Sequence, residues 1–487
     1  MGGTDEPAFW FGFEVAWAKL VVARVIVFGM LAIDALLQIR HGARSGAGGF
    51  NVGQLPLIGA LQPGRVGFVV AELVEAYVFV LIACGVATRR LLPVATVIYA
   101  WLYFSSQLDS YQHHYLVALL LLIGCCVPWQ RPDQAGPDTR VRTWAVRLAL
   151  VQLGIMYLWA AISKLDPLWL DGTTLAKQLA GVLRHWTDAT IGVHAMAWLV
   201  VITEFALAAT VWIRPAWWFA APVGIAFHVG IALSGLEIGL FAWLMVALYI
   251  LVVPDVVWVR IAQSRPLRFA REAIGVIAGW YDSGWVTLAG CALVGLVLAG
   301  VCRVPYAFTV ASVLALGLVA TIVIARVLWD RRGGVAWIAI THVIALATWV
   351  IVDRATSVTV DYYRLWGGTE KRLGNRDTAE RIYRTLTDVV PREPVGHLQL
   401  GRLLLDHNDV AGLDELHEAA RLDSSSARAQ IYEARWLAAK GRRDEALVKA
   451  KEAVAANPDD RDANNLLARL TAGKPPPTRD TVAPPED

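Results

Sequence analysis

The chain has 487 residues, 56% of them hydrophobic and only 17% charged, with 21 tryptophans and a formal net charge of +3. A composition this apolar and aromatic excludes an ordinary soluble globular protein, while a charge this close to neutral says little about partners. The apolar residues come in blocks of roughly 16 to 24 from Trp17 to about Val352, the length a helix needs to cross about 30 Å of hydrocarbon.

Residues 1–16 carry acidic side chains and no basic stretch ahead of the first apolar block, which predicts a cytoplasmic segment and an uncleaved anchor rather than a signal peptide. Spans are expected at Trp17–Leu37, Val66–Ala87, Leu92–Leu108, His114–Val127, Trp144–Ser163, Ala195–Ile213, Trp217–Ser234, Ile238–Val253, Val286–Cys302, Thr309–Ala325 and Ala336–Val352. Several are short, and the fourth, seventh and eighth read equally as half-buried helices, so the bundle is expected to make about nine to eleven crossings. Residues 17–254 form the main transmembrane domain, 255–285 a basic loop and 286–352 additional transmembrane helices. The five cysteines fall within or at the ends of spans, where they read as small packing residues, and no metal-ligand spacing is present.

With the N-terminus in the cytoplasm, that side receives Arg89, Arg90, Arg131, Arg140, Arg142, Arg214, the loop from Arg260 to Arg271, and Arg326, Arg331 and Arg332. The other side receives the smaller set Arg40, Arg44, Arg65, Lys164, Lys177, Arg184 and Arg303. Basic residues accumulate inside, so this orientation is expected, and an odd number of spans then puts the C-terminal region outside the cytoplasm. The run RIAQSRPLRFAR is expected to face anionic lipid rather than nucleic acid.

After Asp353 the apolar blocks stop, and residues 361–472 read as soluble helices with turns at Gly374, Asn408 and Gly441. Ala379, Tyr383 and Pro391 are matched by Ala446, Ala450 and Pro458, each 67 residues later, which is two periods of about 33–34 residues. That period and order match the tetratricopeptide pattern, with units at 361–392, 393–423 and 424–459 and a capping helix at 461–472; Leu413 and Ser425 depart from it in the middle unit. The expected class is therefore all-α: a polytopic membrane bundle followed by a tetratricopeptide-type α-solenoid, whose concave groove would dock a protein or peptide. Residues 473–487 form a Pro-rich tail expected to be disordered.

Ionisable side chains at membrane depth are costly and hence functional candidates: Asp34, Glu72, Glu75, His113, His114, Lys164, Glu204, His228, Glu237 and His342. His113 and His114 begin the fourth span, Lys164 ends the fifth and His228 lies in the outer half of the seventh, so they are expected to meet in one extracytoplasmic-facing pocket. The plainer readings are a lysine snorkelling to the headgroups and histidines serving a helix cap or a neighbouring carbonyl.

The segment from Tyr157 to Trp169, YLWAAISKLDPLW, resembles the hallmark of the vitamin K-dependent γ-carboxylase family and its wider HTTM (horizontally transferred transmembrane domain) group, a small and aromatic helix ending in Lys-Leu-Asp-x-x-Trp. Tyr111-Gln112-His113-His114-Tyr115-Leu116 resembles the family's Asn-Asn-His-Ser-Tyr-Leu stretch, and Phe227-His228 with Ile238-Gly239-Leu240-Phe241 resembles its Phe-His and Ile-Gly-x-Phe segment. The resemblance covers about half the chain. It implies that Lys164 is the base, that His113 acts with it, and that Gln112, His114, His228 and Tyr157 line the site of a reduced vitamin K or menaquinol, with O2 and CO2 as co-substrates and glutamate in a protein as substrate. Gln112 replaces the family's Asn, one methylene longer, and a helical array stands where the animal enzymes carry a β-rich lumenal region.

An amine in water keeps its proton at neutral pH, so a lysine serving as base must sit where burial disfavours its charge. Two other functions fit the same residues: a membrane quinol oxidoreductase that fixes no CO2, and a non-enzymatic bundle presenting the repeat array.

Overall fold

The first apolar block forms the helix α1 (Trp17–Gln38), which continues through a 3-10 turn (Ile39–His41) into the short helix α2 (Gly42–Ser45). The computed structural model describes residues 9–45, 51–55, 61–85, 88–107, 112–129, 136, 138–234, 240–264, 344–345 and 347–475. Outside them lie the expected spans Val286–Cys302 and Thr309–Ala325, most of Ala336–Val352, and Glu237, His342 and most of the Pro-rich tail. Among the described residues, four helices follow α2 in the first half of the bundle: α3 (Arg65–Ala83), α4 (Thr88–Phe104), α5 (Gln112–Gly124) and α6 (Trp144–Ser163). A two-stranded antiparallel ladder joins β1 (Glu14–Ala16) to β2 (Arg140–Arg142), with Val15 opposite Val141. Because β1 leads into α1 and β2 into α6, both helices start at the same end of the bundle.

Beyond α6, three short helices, α7 (Pro167–Leu170), α8 (Thr173–Gln178) and α9 (Gly181–Thr190), lead to α10 (Gly192–Thr210) and α11 (Trp217–Ala232). Gly154 lets α10 approach α6, since a Cβ there would stand 3.2 Å from the Ala208 carbonyl oxygen. The inner core collects Leu20, Leu150, Leu153, Tyr157, Leu207, Met245 and Tyr249.

Among the described residues, five helices are long and apolar enough to cross a membrane: the continuous run Trp17–Ser45, Arg65–Ala83, Trp144–Ser163, Gly192–Thr210 and Arg214–Ala232. The expected third span is a 17-residue helix, and the fourth is a helix of only 13 residues, about 20 Å of rise against a 30 Å core. The expected eighth span is bent: α12 (Phe241–Leu248) runs on to Leu251 and then turns by 88° into α13 (Asp255–Gln263). Pro254 marks the break, and Asp255 fixes it by pairing with Lys19 at 2.7 Å, Arg140 at 2.6 Å and Arg214 at 3.4 Å. Residues 255–263 are therefore a helix tied to the bundle, not the start of a loop.

The C-terminal helices pair in sequence: α14 (Val358–Arg372) with α15 (Arg376–Val389), α16 (Pro394–Asp406) with α17 (Gly412–Leu422), and α18 (Arg428–Ala439) with α19 (Arg443–Ala456), followed by α20 (Arg461–Thr471). Gly374, Asn408 and Gly441 turn the three hairpins with φ of 83°, 63° and 78°. The first helix, α14, is seated on the membrane bundle. Val358 and Tyr362 join a buried cluster with Ala35, Leu36, Ile39, Val69 and Leu73, while Arg40 pairs with Asp361 at 3.1 Å and Arg65 with Glu370 at 2.7 Å. The C-terminal region thus stands at the end of the bundle where α1 and α6 finish.

Candidate functional site

Local sequence sets the shape of the chain after α6. Lys164 is the C-cap residue, and Asp166 then caps α7 by accepting a hydrogen bond from the Leu168 amide at 2.8 Å, with Pro167 in the first helical turn. This tight reversal carries Trp169 back over Lys164, whose Nζ lies 5.3 Å from the ring centroid. The spacing of Lys-Leu-Asp-x-x-Trp is therefore that of a capped turn folding an aromatic ring over an amine.

The amine itself points inward. Lys164 Nζ donates to the Ala160 carbonyl oxygen at 3.3 Å, one turn back along α6, and to Glu204 Oε1 of α10 at 2.8 Å. Its side chain is 21% exposed and that of Glu204 only 6%. A snorkelling lysine would extend away from the helix toward water; this one folds back into the bundle to meet a carboxylate.

Two turns earlier on α6, Tyr157 is fully buried. Its hydroxyl hydrogen-bonds His228 Nε2 at 2.5 Å and accepts from the Tyr249 hydroxyl at 2.9 Å. Tyr249 reaches this position because Gly224, one turn before His228 on α11, has no side chain: a Cβ there would fall 1.9 Å from the Tyr249 ring. With Tyr249 donating to Tyr157 and Tyr157 to Nε2, the His228 ring carries its proton on Nδ1. Glu204 lies close enough to Tyr157 to act on its hydroxyl electrostatically, so the ion pair and the tyrosine–histidine chain adjoin. Three buried polar atoms in this region have no hydrogen-bond partner among the described residues: Glu204 Oε2, His228 Nδ1 and Trp169 Nε1. Buried polar atoms are seldom left unmatched, and two donors with one acceptor are what an oxygen-bearing ligand would complete.

His113 and His114 belong to a second group. The His113 ring packs on Phe241 at 4.9 Å and on His114 at 4.3 Å, and His114 Nδ1 hydrogen-bonds the Tyr99 hydroxyl at 2.8 Å. His114 lines a cavity of about 40 Å³ together with Asp34, Glu72 and Glu75. The single pocket expected for Lys164, His113, His114 and His228 is thus two neighbourhoods, linked by α12, which carries Phe241 at its start while Tyr249 follows its last turn. Gln112 heads α5, and its side chain lies outside the described residues.

Glu204 stood among the intramembrane ionisable residues in the sequence, but nothing there paired it with Lys164. Tyr249 had no signal at all, since only the packing of α12 on Gly224 brings it to Tyr157. No curated protein matches the chain. The HTTM domain is found in the vitamin K-dependent carboxylase family, and the family model described as the HTTM domain matches residues 14–258. That stretch is about half of the chain and contains Lys164, Glu204, Tyr157, His228 and Tyr249; the chain belongs to the HTTM domain family.

Proposed function

We propose that the protein is a vitamin K (naphthohydroquinone)-dependent γ-glutamyl carboxylase-like membrane enzyme, acting at Lys164 on glutamate in a protein substrate. The observation that carries this reading is the inward-turned Lys164 amine, paired with Glu204 and adjoined by unmatched buried donors and an acceptor. Reduced vitamin K or menaquinol, when bound, supplies with O2 the strong base that removes a glutamate γ-proton, and CO2 adds at that carbon.

The residues present fit such a quinol. Glu204 Oε2 would accept a hydrogen bond from one quinol hydroxyl, and the Nδ1–H of His228 would donate one to the other oxygen. A proton on Lys164 Nζ would move to Glu204 Oε1, 2.8 Å away, leaving a neutral amine to serve as base toward the quinol hydroxyl. Tyr157 and Tyr249 hold His228 in the required tautomer, as an outer hydrogen-bond partner fixes a working histidine. Trp169 roofs the amine against water, whose exclusion strengthens these interactions. The family resemblance assigns His113, His114 and Gln112 to the quinol as well, and His113 packs on Phe241 at the start of α12, the helix that Tyr249 follows.

The C-terminal region is read as a tetratricopeptide-like array that docks the protein substrate, standing at the end of the bundle where Lys164 lies. With the N-terminus cytoplasmic, that end is extracytoplasmic. The test gives purified protein a hydroquinone, O2, labelled bicarbonate and a glutamate peptide, and measures epoxide and fixed label together. Wild type should make both, and Lys164→Met should lose at least about a hundredfold of each, the lower bound for a positioned base. Oxidised quinol without fixed label favours the oxidoreductase, and identical wild-type and variant traces favour a scaffold.

A further inference from the structure

The cavity beside His114 lies among α1, α3, α4 and α5 and is lined by Asp34, Gln38, Glu72, Glu75, Tyr99, Tyr103 and His114. Three carboxyl groups around about 40 Å³ at membrane depth are costly, because each ionised carboxylate in an apolar interior demands compensation. Glu75 is the decisive one. It is 1% exposed, it lines the cavity, and its Oε1 is buried without a hydrogen-bond partner among the described residues, while Asp34 faces it closely enough to act on its charge. Like charges this close disfavour ionisation of both groups, and among the described residues no three of His, Cys, Asp and Glu are placed to hold a metal ion.

We infer that this cavity is a proton-binding site, in which Glu75, Asp34 and Glu72 share a proton that exchanges with His114. The geometry supplies the route. A cavity of this size admits a water molecule, and the His114 ring, held by the Tyr99 hydroxyl through Nδ1, presents Nε2 as the remaining exchange position. A proton leaving a carboxyl oxygen is taken by the neighbouring carboxylate or by that ring nitrogen, so only O–H and N–H bonds change.

Other titratable groups surround the site on every side. The 3-10 turn after α1 contributes His41, on which Arg40, Arg44 and Arg364 of α14 act; α4 contributes Tyr99 and Tyr103, and α5 contributes His113 against His114. The site stands at the end of the bundle where α14 is seated, since Arg40 pairs with Asp361 there. It does not rest on the reaction assigned to Lys164.

The experiment uses the full chain in lipid nanodiscs and dicyclohexylcarbodiimide, which modifies protonated carboxyl groups in apolar surroundings. Peptide mapping should find the adduct on Glu75, with a labelling rate that falls as pH rises. Infrared difference spectroscopy supplies a measurement independent of reagent access: a protonated-carboxyl C=O stretch in wild type should be lost by one group's intensity in Glu75→Gln. No adduct on Glu75 at any pH, a pH-independent rate, or a wild-type spectrum without the stretch would overturn the assignment.

Discussion

Substituting the two members of the Lys164–Glu204 pair should have unequal costs, and the inequality follows from where each side chain sits. At 2.8 Å and an effective dielectric constant of about 20, their attraction is about 6 kcal/mol, much of it offset by the desolvation of both ions. What remains unbalanced after a single substitution decides the ranking. Lys164→Met strands the carboxylate of Glu204, only 6% exposed, inside the bundle, and should cost about 3 kcal/mol. Glu204→Leu leaves an amine at a helix end, free to swing outward to the headgroups, and should cost about 1 kcal/mol. The double variant removes both charges and should fall within about 1 kcal/mol of wild type, a coupling of about 4 kcal/mol. Unfolding by SDS titration in mixed micelles, followed by tryptophan fluorescence, measures all four proteins. Equal single costs that simply add would refute the inward-facing pair.

Removing His228 should act on quinol binding rather than on proton transfer: His228→Ala is expected to raise KM for hydroquinone about tenfold, the worth of one buried hydrogen bond, with a smaller change in kcat, as read from epoxidation kinetics. Deletion from Arg376 onward should leave turnover of a small free substrate intact while weakening use of a large protein one. Deletion from Ser357 onward also uncovers the cluster beneath Val358 and Tyr362 and should lower bundle stability by about 3 kcal/mol, read in the same SDS titration.

How much of this was legible in sequence depended on how local the cause was. Gly374, Asn408 and Gly441 were readable as turns because each left-handed φ is set by a single residue. The reversal after Lys164 was present in Asp166 and Pro167, a cap and a first-turn proline standing between the lysine and the tryptophan that folds over it. The direction of the lysine was not, since it depends on Glu204, 40 residues away on another helix. The bend at Pro254 escaped for the same reason: an apolar count runs through it, and only the convergence of Lys19, Arg140 and Arg214 on Asp255 shows why the chain turns there. The division of the histidines into two neighbourhoods likewise depends on how α12 crosses the bundle.

If Lys164 lines a hydroquinone site, as proposed, bound hydroquinone should shield its amine from modification. The full protein, with and without saturating hydroquinone, is exposed to an amine-reactive probe and the modification of Lys164 is followed by peptide mapping, with Lys177 as an internal reference. Hydroquinone should suppress labelling of Lys164 and leave Lys177 unchanged. Labelling of Lys164 that stays the same at saturating hydroquinone would contradict the site.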